Sequence, residues 1–403
     1  MTRIMNNEAI AYVTGLNINT YPRPLFIKRA LGDSLKLYRL RTIIGHLRGE
    51  DEFTDVNINT EDVMENYVNN ALHAGKNLIY MLPRVHDCVR IDRVDEFTAL
   101  SIESLYVPFF RKIRERTVII LNTVGALAAM STGKRVVIDL MDLWSCSAEG
   151  LRLNALDYHV LRRAWQVWAW SRAITALLRR IGISNVRYVP FGIDLGRFDP
   201  MRVSTSIFFE RYRDLEGKVL IGYSGGMWIV NGKERIGVEK IIRAFKLIED
   251  RVKGDAVLVM QTSRSVIPMI KKYGIRNYVY ISQTRFNDPF RLSLLRAMDI
   301  KVLTATKYLP VYLSERTTMF QYMTSEGAII AEKTPGVLGV LKHMYNAYMV
   351  NLGDVNAMAQ AMLELVNDRK LRNYLGGNAR KDIETKYNIN VISHNIRKYL
   401  ELN

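Results

Sequence analysis

Only two cysteines, Cys88 and Cys146, occur in 403 residues. They are far apart and outside any CxxC spacing, which argues against a disulfide framework or a cysteine-held metal. The six histidines are scattered, with no HxH or HExxH pair, so no metal site is expected. No run of about eighteen apolar residues is present, and no membrane-spanning helix is expected. The first residues, MTRIMNNEAIAYV, lack the apolar core of a secretory signal. The expectation is a cytoplasmic protein, with peripheral contact at the inner membrane face left open. Internal repeats, low-complexity segments, long basic tracts and nucleic-acid motifs are also missing, so no specific nucleic-acid partner is expected.

Acidic residues are in short supply: 40 Asp and Glu face 57 Lys and Arg, a formal net charge of +17. This excess has two readings, the solvated Arg-rich surface of a stable protein or attraction to nucleotide phosphates, lipid headgroups or nucleic acid. Charge alone does not choose between them. The chain is too long for one ordinary core and suggests about two domains. With 48% hydrophobic and 24% charged residues it has a globular, enzyme-like composition.

Strand and helix patterns alternate along the chain. EAIAYVTG, LKLYRL, NLIYMLP (Asn77–Pro83), TVIIL and KRVVIDL read as strands, with helices opened by Pro22 and Pro24, over Ser101–Arg116, over Val124–Met130 and over about 150–163. Residues 49–60 are acidic and polar and read as a loop. AWQVWAWSRAITALLRRIG fits one amphipathic helix or a strand to Trp170 followed by a helix with Ser171 as N-cap. The punctuation favours the second. VRYVPFGID closes this half, with a boundary near Asp199–Pro200. The alternation then restarts with KVLIGYSGG, a helix over Gly237–Asp250, AVLVMQ, YVYIS, a helix over Asp288–Ala297 and DIKVLTAT.

The stretch TTMFQYMTSEGAIIAEKTPG (Thr317–Gly336) reads as a helix with Thr317 as N-cap, Gly327 as its stop, a buried strand AIIA and a new helix after TPG. Three helical patterns follow, one capped by Asp354, one running from about Asp368 to Lys386 and one capped by Asn390. Two sets of alternating elements predict an α/β fold of two doubly wound parallel sheets facing a cleft, with a helical C-terminal tail.

Four passages in this order resemble the GT-B glycosyltransferases, particularly the retaining family 4 group: WAWS with VRYVPFGIDLGRFDP; VLIGYSGGMW with GVEKIIRAF; AMDIKVLTAT with FQYMTSEGAIIAEKTPG; and NLGDVNAMAQAMLELVNDRKLRNYLGGNARKDIETKYN. The resemblance implies two Rossmann-like domains, an acceptor-side one over 1–200 and a donor-binding one over 201–386, with a terminal helix over 387–403 crossing back. It implies transfer of a sugar from a nucleotide-sugar donor, with retention, without metal or other cofactor, to a glycan, lipid-linked or protein acceptor. The alternative is a degenerate scaffold that binds nucleotide, sugar or a partner without transfer.

The same resemblance nominates the site. Gly225 and Gly226 bring backbone N–H groups toward the phosphates, where their alternative is an ordinary turn. The family's Lys before Gly237 is Ile236 here, leaving Lys233 and Arg235 as substitutes or as a solvated loop. On the opening helix, Arg316, Thr317, Thr318 and Gln321 are donor-side candidates. Gln321 and Thr318 stand where relatives carry Glu and Lys, and Leu313 replaces the first family glutamate. Asp142, after the strand ending in VVIDL, is the catalytic candidate, with a helix cap or an Arg partner as the alternative. Asp139 reads as structural. Gly15 is what remains of the family's acceptor loop.

Overall fold

The structure is a computed structural model that describes residues 9–15, 22–40, 60–61, 96–143, 155–230 and 233–402. The expected strand over Asn77–Pro83 and both cysteines lie outside these residues, as does the loop from residue 49 apart from residue 60. The chain forms two compact units, Met1–Pro190 with Ile392–Asn403, and Phe191–Val391.

In unit 1 the described strands are β1 (Ile10–Thr14), β2 (Leu35–Arg39), β3 (Thr60–Glu61), β4 (Thr117–Leu121), β5 (Arg135–Leu140), β6 (Gln166–Ala169) and β7 (Val186–Tyr188). They form one parallel sheet in the order β3-β2-β1-β4-β5-β6-β7. Its helices are α1 (Arg23–Leu31), α2 (Glu96–Lys112), α3 (Ala126–Ser131), α4 (Ala155–Arg163) and α5 (Arg172–Arg180). Both β1 and β4 are buried throughout, as apolar runs covered on both faces must be. The ambiguous tryptophan stretch is a strand and then a helix: Ser171 Oγ accepts from the N–H groups of Ala173 and Ile174. The consecutive apolar residues Val167, Trp168 and Ala169, all buried, suit a strand covered on both faces, and the capping serine starts the helix.

Asp139 on β5 ties this unit together. Its carboxylate accepts from Tyr12 Oη at 2.6 Å, Trp170 Nε1 at 2.6 Å and Arg23 Nε at 3.1 Å, all buried. Arg23 is fully buried and also donates to Pro190 O at 2.5 Å. A buried charge pair survives only where its remaining hydrogen-bonding atoms are satisfied, and here they are.

Unit 2 contains β8 (Val219–Ser224), the short antiparallel pair β9 (Ile229–Val230) and β10 (Lys233–Glu234), and then β11 (Ala256–Thr262), β12 (Tyr278–Ser282), β13 (Ile300–Leu303), β14 (Ala328–Glu332) and β15 (Tyr348–Val350). The main sheet is parallel in the order β12-β11-β8-β13-β14-β15. Helices α6 (Val238–Ile248), α7 (Val266–Lys272), α8 (Pro289–Ala297), α9 (Leu309–Leu313), α10 (Thr317–Met323), α11 (Pro335–Leu338), α12 (Val355–Asn367) and α13 (Arg369–Asp382) follow the strands. Helix α14 (Ile389–Tyr399) passes out of this unit, and the chain from Ile392 belongs to unit 1.

Three expectations change. The units divide at Pro190–Phe191, about ten residues before the boundary read from sequence: Phe191 stacks on Phe320 at 6.3 Å, and Ile193 bridges to Asn388. Thr317 is the first helical residue of α10, and Arg316 holds the N-cap position without a side-chain cap bond. The last helix starts before Asn390, whose N–H is accepted by Asn388 Oδ1 at 3.0 Å.

Gly327 has a different purpose from the one its sequence position suggests. It is absent from the positive-φ residues, so left-handed backbone is not the requirement. A Cβ there would lie 2.3 Å from Met298 O. The glycine lets the entry to β14 lie against the end of α8.

Candidate functional site at the carboxyl edge of the second sheet

Strand order in unit 2 reverses between β8 and β13, which are neighbours in the sheet but far apart in sequence. Crossover segments leave these two strands toward opposite ends of the sheet, so their carboxyl ends open a crevice where α/β proteins hold ligands. β8 delivers Ser224, Gly225 and Gly226 to this edge, and β13 delivers Thr304.

Polar atoms without partners collect at the same edge. Among the described residues, five buried side-chain nitrogen or oxygen atoms lack a hydrogen-bond partner, and four of them sit here: Arg235 Nε, Arg316 Nη2, Thr304 Oγ1 and Thr334 Oγ1. Arg235 precedes α6, Arg316 caps α10, and the threonines follow β13 and β14. An orphaned buried donor costs about 1–3 kcal/mol, so four at one strand edge mark a place prepared for an oxygen-rich ligand.

Gly225 belongs to this edge by necessity of space. A Cβ there would stand 2.7 Å from Tyr223 Oη and 3.3 Å from Thr318 Oγ1, which brings the glycine turn against the first turn of α10. Gly225 spends its N–H on Gln261 O at 3.0 Å, whereas Gly226, the next residue, is exposed. Tyr223 donates to Gly226 O at 2.7 Å, and burial pushes its phenol up to about 12. Tyr322 Oη accepts from Ser224 N at 2.8 Å and is raised well above the usual tyrosine range, first by burial and then by Tyr223.

Cations surround these hydroxyls. Arg316 and Arg291 on α8 both act electrostatically on Tyr223 and Tyr322. Burial lowers the Arg291 guanidinium to about 10, which leaves it charged at neutral pH. Its Nη2 donates to Gln321 Oε1 at 2.7 Å, and Gln321 is 5% exposed. The acids nearby are already saturated. Glu234 accepts from the N–H groups of Ile236, Gly237 and Val238 at 2.5, 2.7 and 2.9 Å, closing the N-terminus of α6. Glu332, at the end of β14, pairs with Lys240 and accepts from Ala305 N and Gly353 N, each at 2.7 Å. The edge therefore gathers guanidinium groups beside carboxylates whose oxygens are already engaged by backbone N–H groups and Lys240.

Not every nominated residue joins it. Lys233 is exposed on β10 and Thr317 is half-buried at the start of α10. Gly15 and Asp142 belong to unit 1. Gly15 is exposed after β1, whereas Asp142 is 5% exposed after β5. Beside it Asn122, at φ 62°, accepts Met141 N through Oδ1 at 3.0 Å. In the same unit Glu103 accepts from Gly125 N and Ala128 N, and burial pushes its carboxyl up to about 7. Among the described residues no three His, Cys, Asp or Glu side chains gather as a metal site requires.

Sequence reading missed Arg291, Tyr223, Tyr322, Thr304 and Thr334. Arg291 lies 30 residues from Gln321, and no local pattern joins them. Thr304 did carry a signal, as the first polar residue beyond the apolar strand β13, whereas Thr334 follows Glu332 and Lys333.

Residues 231–382 match the family model "Glycosyl transferases group 1". A capsular polysaccharide biosynthesis glycosyltransferase, CapM, of Staphylococcus aureus is 23% identical over 214 residues, 52% of this chain and 53% of that protein. The chain thus matches about half the length of this curated relative. Among solved structures, Anabaena HepE in complex with UDP and glucose aligns with a TM-score of 0.68 at 13% identity over 98% of this chain and 99% of that one. Sucrose-phosphate synthase from Thermosynechococcus elongatus aligns at 0.69 with 12% identity over 98% of both chains. These alignments span both units, and the chain has the GT-B fold.

Proposed function

We propose that this GT-B protein, whose second unit carries a group 1 glycosyltransferase domain, moves a sugar from a nucleotide-sugar donor to an acceptor hydroxyl with retention of anomeric configuration. The observation that carries the reading is the set of four unpartnered buried atoms at the β8/β13 edge, on residues Arg235, Arg316, Thr304 and Thr334. In such a transfer the bond from the sugar's anomeric carbon to the diphosphate oxygen breaks, and its electron pair stays on the diphosphate. The acceptor oxygen bonds to the same face of that carbon and gives up its proton. The leaving group gains negative charge, which preorganised guanidinium and hydroxyl donors stabilise most where water is excluded.

In this reading Arg316, Arg235 and the Gly226 N–H hold the diphosphate, with Thr304 and Thr334 as neutral donors. Thr318 lines the turn beside Gly225, and Gln321 meets the donor through its amide. Guanidinium groups take the role a divalent cation plays elsewhere, and no other cofactor is assigned. Asp142 is the candidate base of unit 1. The HepE complexes with UDP and sugar support a nucleotide-sugar donor by likeness of fold.

The test is a panel of nucleotide sugars with release of nucleoside diphosphate as readout. Arg316→Ala is expected to cut turnover at least about a hundredfold, the loss typical of a removed charge-stabilising donor. A folded wild-type protein that releases nothing from any donor sinks the catalytic reading. Tight nucleotide binding without turnover would mark the scaffold alternative, which the uncharged Gln321 and Thr318 favour.

A glycan or lipid-linked acceptor fits the surface of unit 1. Residues 155–190 expose Arg162, Arg163, Arg172, Arg179, Arg180 and Arg187 against one acid, Asp157. Basic surfaces of this kind gain about 1 kcal/mol per residue near anionic leaflets. No helix among the described residues is long and apolar enough to cross a membrane. Flotation with vesicles that does not respond to anionic lipid removes the membrane part of the proposal.

A further inference from the structure

We infer that the amino edge of the first sheet, between β4 and β7, is the face by which this protein docks on an anionic lipid leaflet. The inference deepens the membrane reading above, rests on it, and assigns the contact to one edge of one unit.

Chain direction builds this edge. In a parallel sheet the connecting helices run back against the strands, so each helix ends where the next strand begins. Arg111 and Lys112 end α2, and Arg114 and Arg116 lead from it into β4. Arg162 and Arg163 end α4 just before β6, and Arg180 ends α5 before β7. Strands β4, β5, β6 and β7 are neighbours, so at about 4.8 Å per strand the cations share an edge about 14 Å wide. Asp142 follows the opposite, carboxyl end of β5.

All of these cations are exposed, and none has a carboxylate partner among the described residues. The acids of this edge, Glu115 and Glu401, are engaged. Glu115 is buried against Lys36 at 3.1 Å and Tyr38 at 3.0 Å, and Glu401 lies 3.5 Å from Arg135. A helix macrodipole gathers about half an elementary negative charge at its C-terminus, which calls for one cation there. It does not account for the pairs that end α2 and α4. In unit 2 the corresponding edge mixes both signs: Lys246 in the last turn of α6 meets Glu249 at 3.0 Å, and Arg276, between α7 and β12, pairs with Asp250.

What the edge omits decides the partner. None of the large exposed hydrophobic residues lies on it, and Trp165, beside β6, is covered by the Arg135 guanidinium at 3.9 Å. Sites for single-stranded nucleic acid add stacking aromatics to a charged groove, and no bare ring is offered here among the described residues. The surface supplies distributed charge alone. A leaflet of anionic headgroups meets such charge across its full width without insertion or a groove.

The test is cosedimentation with phosphatidylcholine vesicles, with and without phosphatidylglycerol. Arg111→Gln/Lys112→Gln and Arg162→Gln/Arg163→Gln remove charge from the edge. Arg172→Gln/Arg187→Gln removes the same charge elsewhere in unit 1, from the start of α5 and from within β7. Wild type is expected to bind only the anionic vesicles and to leave them as salt rises. Each edge variant is expected to weaken binding by at least about tenfold, or 1.4 kcal/mol, and Arg172→Gln/Arg187→Gln by less than about threefold. The two edge variants start from different helices, so one that melts early leaves the other to decide. Equal weakening by all three variants, or by neither edge variant, overturns the assignment to this edge. Duplex DNA bound more tightly than the vesicles in the same buffer, and lost in the edge variants, overturns the lipid occupant. Wild type that ignores phosphatidylglycerol overturns the membrane reading itself.

Discussion

Lys240 and Glu332 form an ion pair beneath the carboxyl edge of the second sheet, with the Glu332 side chain fully buried and the Lys240 side chain 16% exposed. Lys240 also donates to Ala305 O at 2.5 Å, so the pair joins α6 to the ends of β13 and β14. Lys240→Met leaves a buried carboxylate with backbone donors only and is expected to cost about 3–5 kcal/mol. The double variant Lys240→Met/Glu332→Met is expected to recover most of that loss. Urea unfolding of the three proteins measures it; a double variant no better than Lys240→Met would show that the pair is not the source of the cost.

Asp139→Asn in unit 1 leaves the fully buried Arg23 without its counter-charge. The expected loss is again about 3–5 kcal/mol. Far-UV circular dichroism in urea would follow it. A change under about 1 kcal/mol would mean that Pro190 O and Val189 O alone satisfy the guanidinium.

Lys301 provides a pH signature. Burial in β13 lowers its amine to about 7 in the fold, against the usual 10.5. Its Nζ donates to Ser325 O at 3.1 Å. Because the folded-state pKa lies below the unfolded one, the unfolded chain binds more protons between pH 7 and pH 10.5. Stability therefore rises with pH through that window, by up to about 1.4 kcal/mol per pH unit, and is lost as pH falls toward about 7. Chemical melts of wild type and Lys301→Met at about pH 7 and pH 9 compare the slopes across that window. Equal slopes would contradict the assignment.

Glu103 gives the opposite sign. Burial raises its carboxyl to about 7, so the folded state binds the extra proton between pH 4.5 and pH 7. Its contribution is present below about pH 4.5 and declines as pH rises through about 7. Carbon-13 NMR titration of the carboxyl checks this directly, and an ordinary glutamate midpoint would refute it.

Gly327→Ala is expected to cost more than about 3 kcal/mol, since the added carbon meets the backbone oxygens of Met298 and Asp299 as well as the buried Lys301 amine. Gly254→Ala, where φ is +86° and the space is open, is expected to cost about 1–2 kcal/mol from backbone strain alone. Thermal melts that reverse this order would refute the close-approach account.

By itself the sequence determined the alternation of strands and helices. AIIA, TVIIL and VVIDL are apolar runs because parallel strands are covered on both faces, and Ser171, Asp354 and Asp368 stop or start helices through bonds made within three residues. Such signals are local, so they are legible in a string. The order of motifs also pointed to the fold. What only the tertiary structure decided is which side chains meet. Gln321 reads as a weakened glutamate until Arg291, 30 residues earlier in the chain, is seen to hold its amide oxygen. Gly327 reads as a helix stop until Met298 O is found against it. Glu234 carries no sequence signal for its place, yet its carboxylate accepts the first N–H groups of α6. Long-range contacts of this kind depend on register and crossover, which place strand ends side by side and leave no periodic trace.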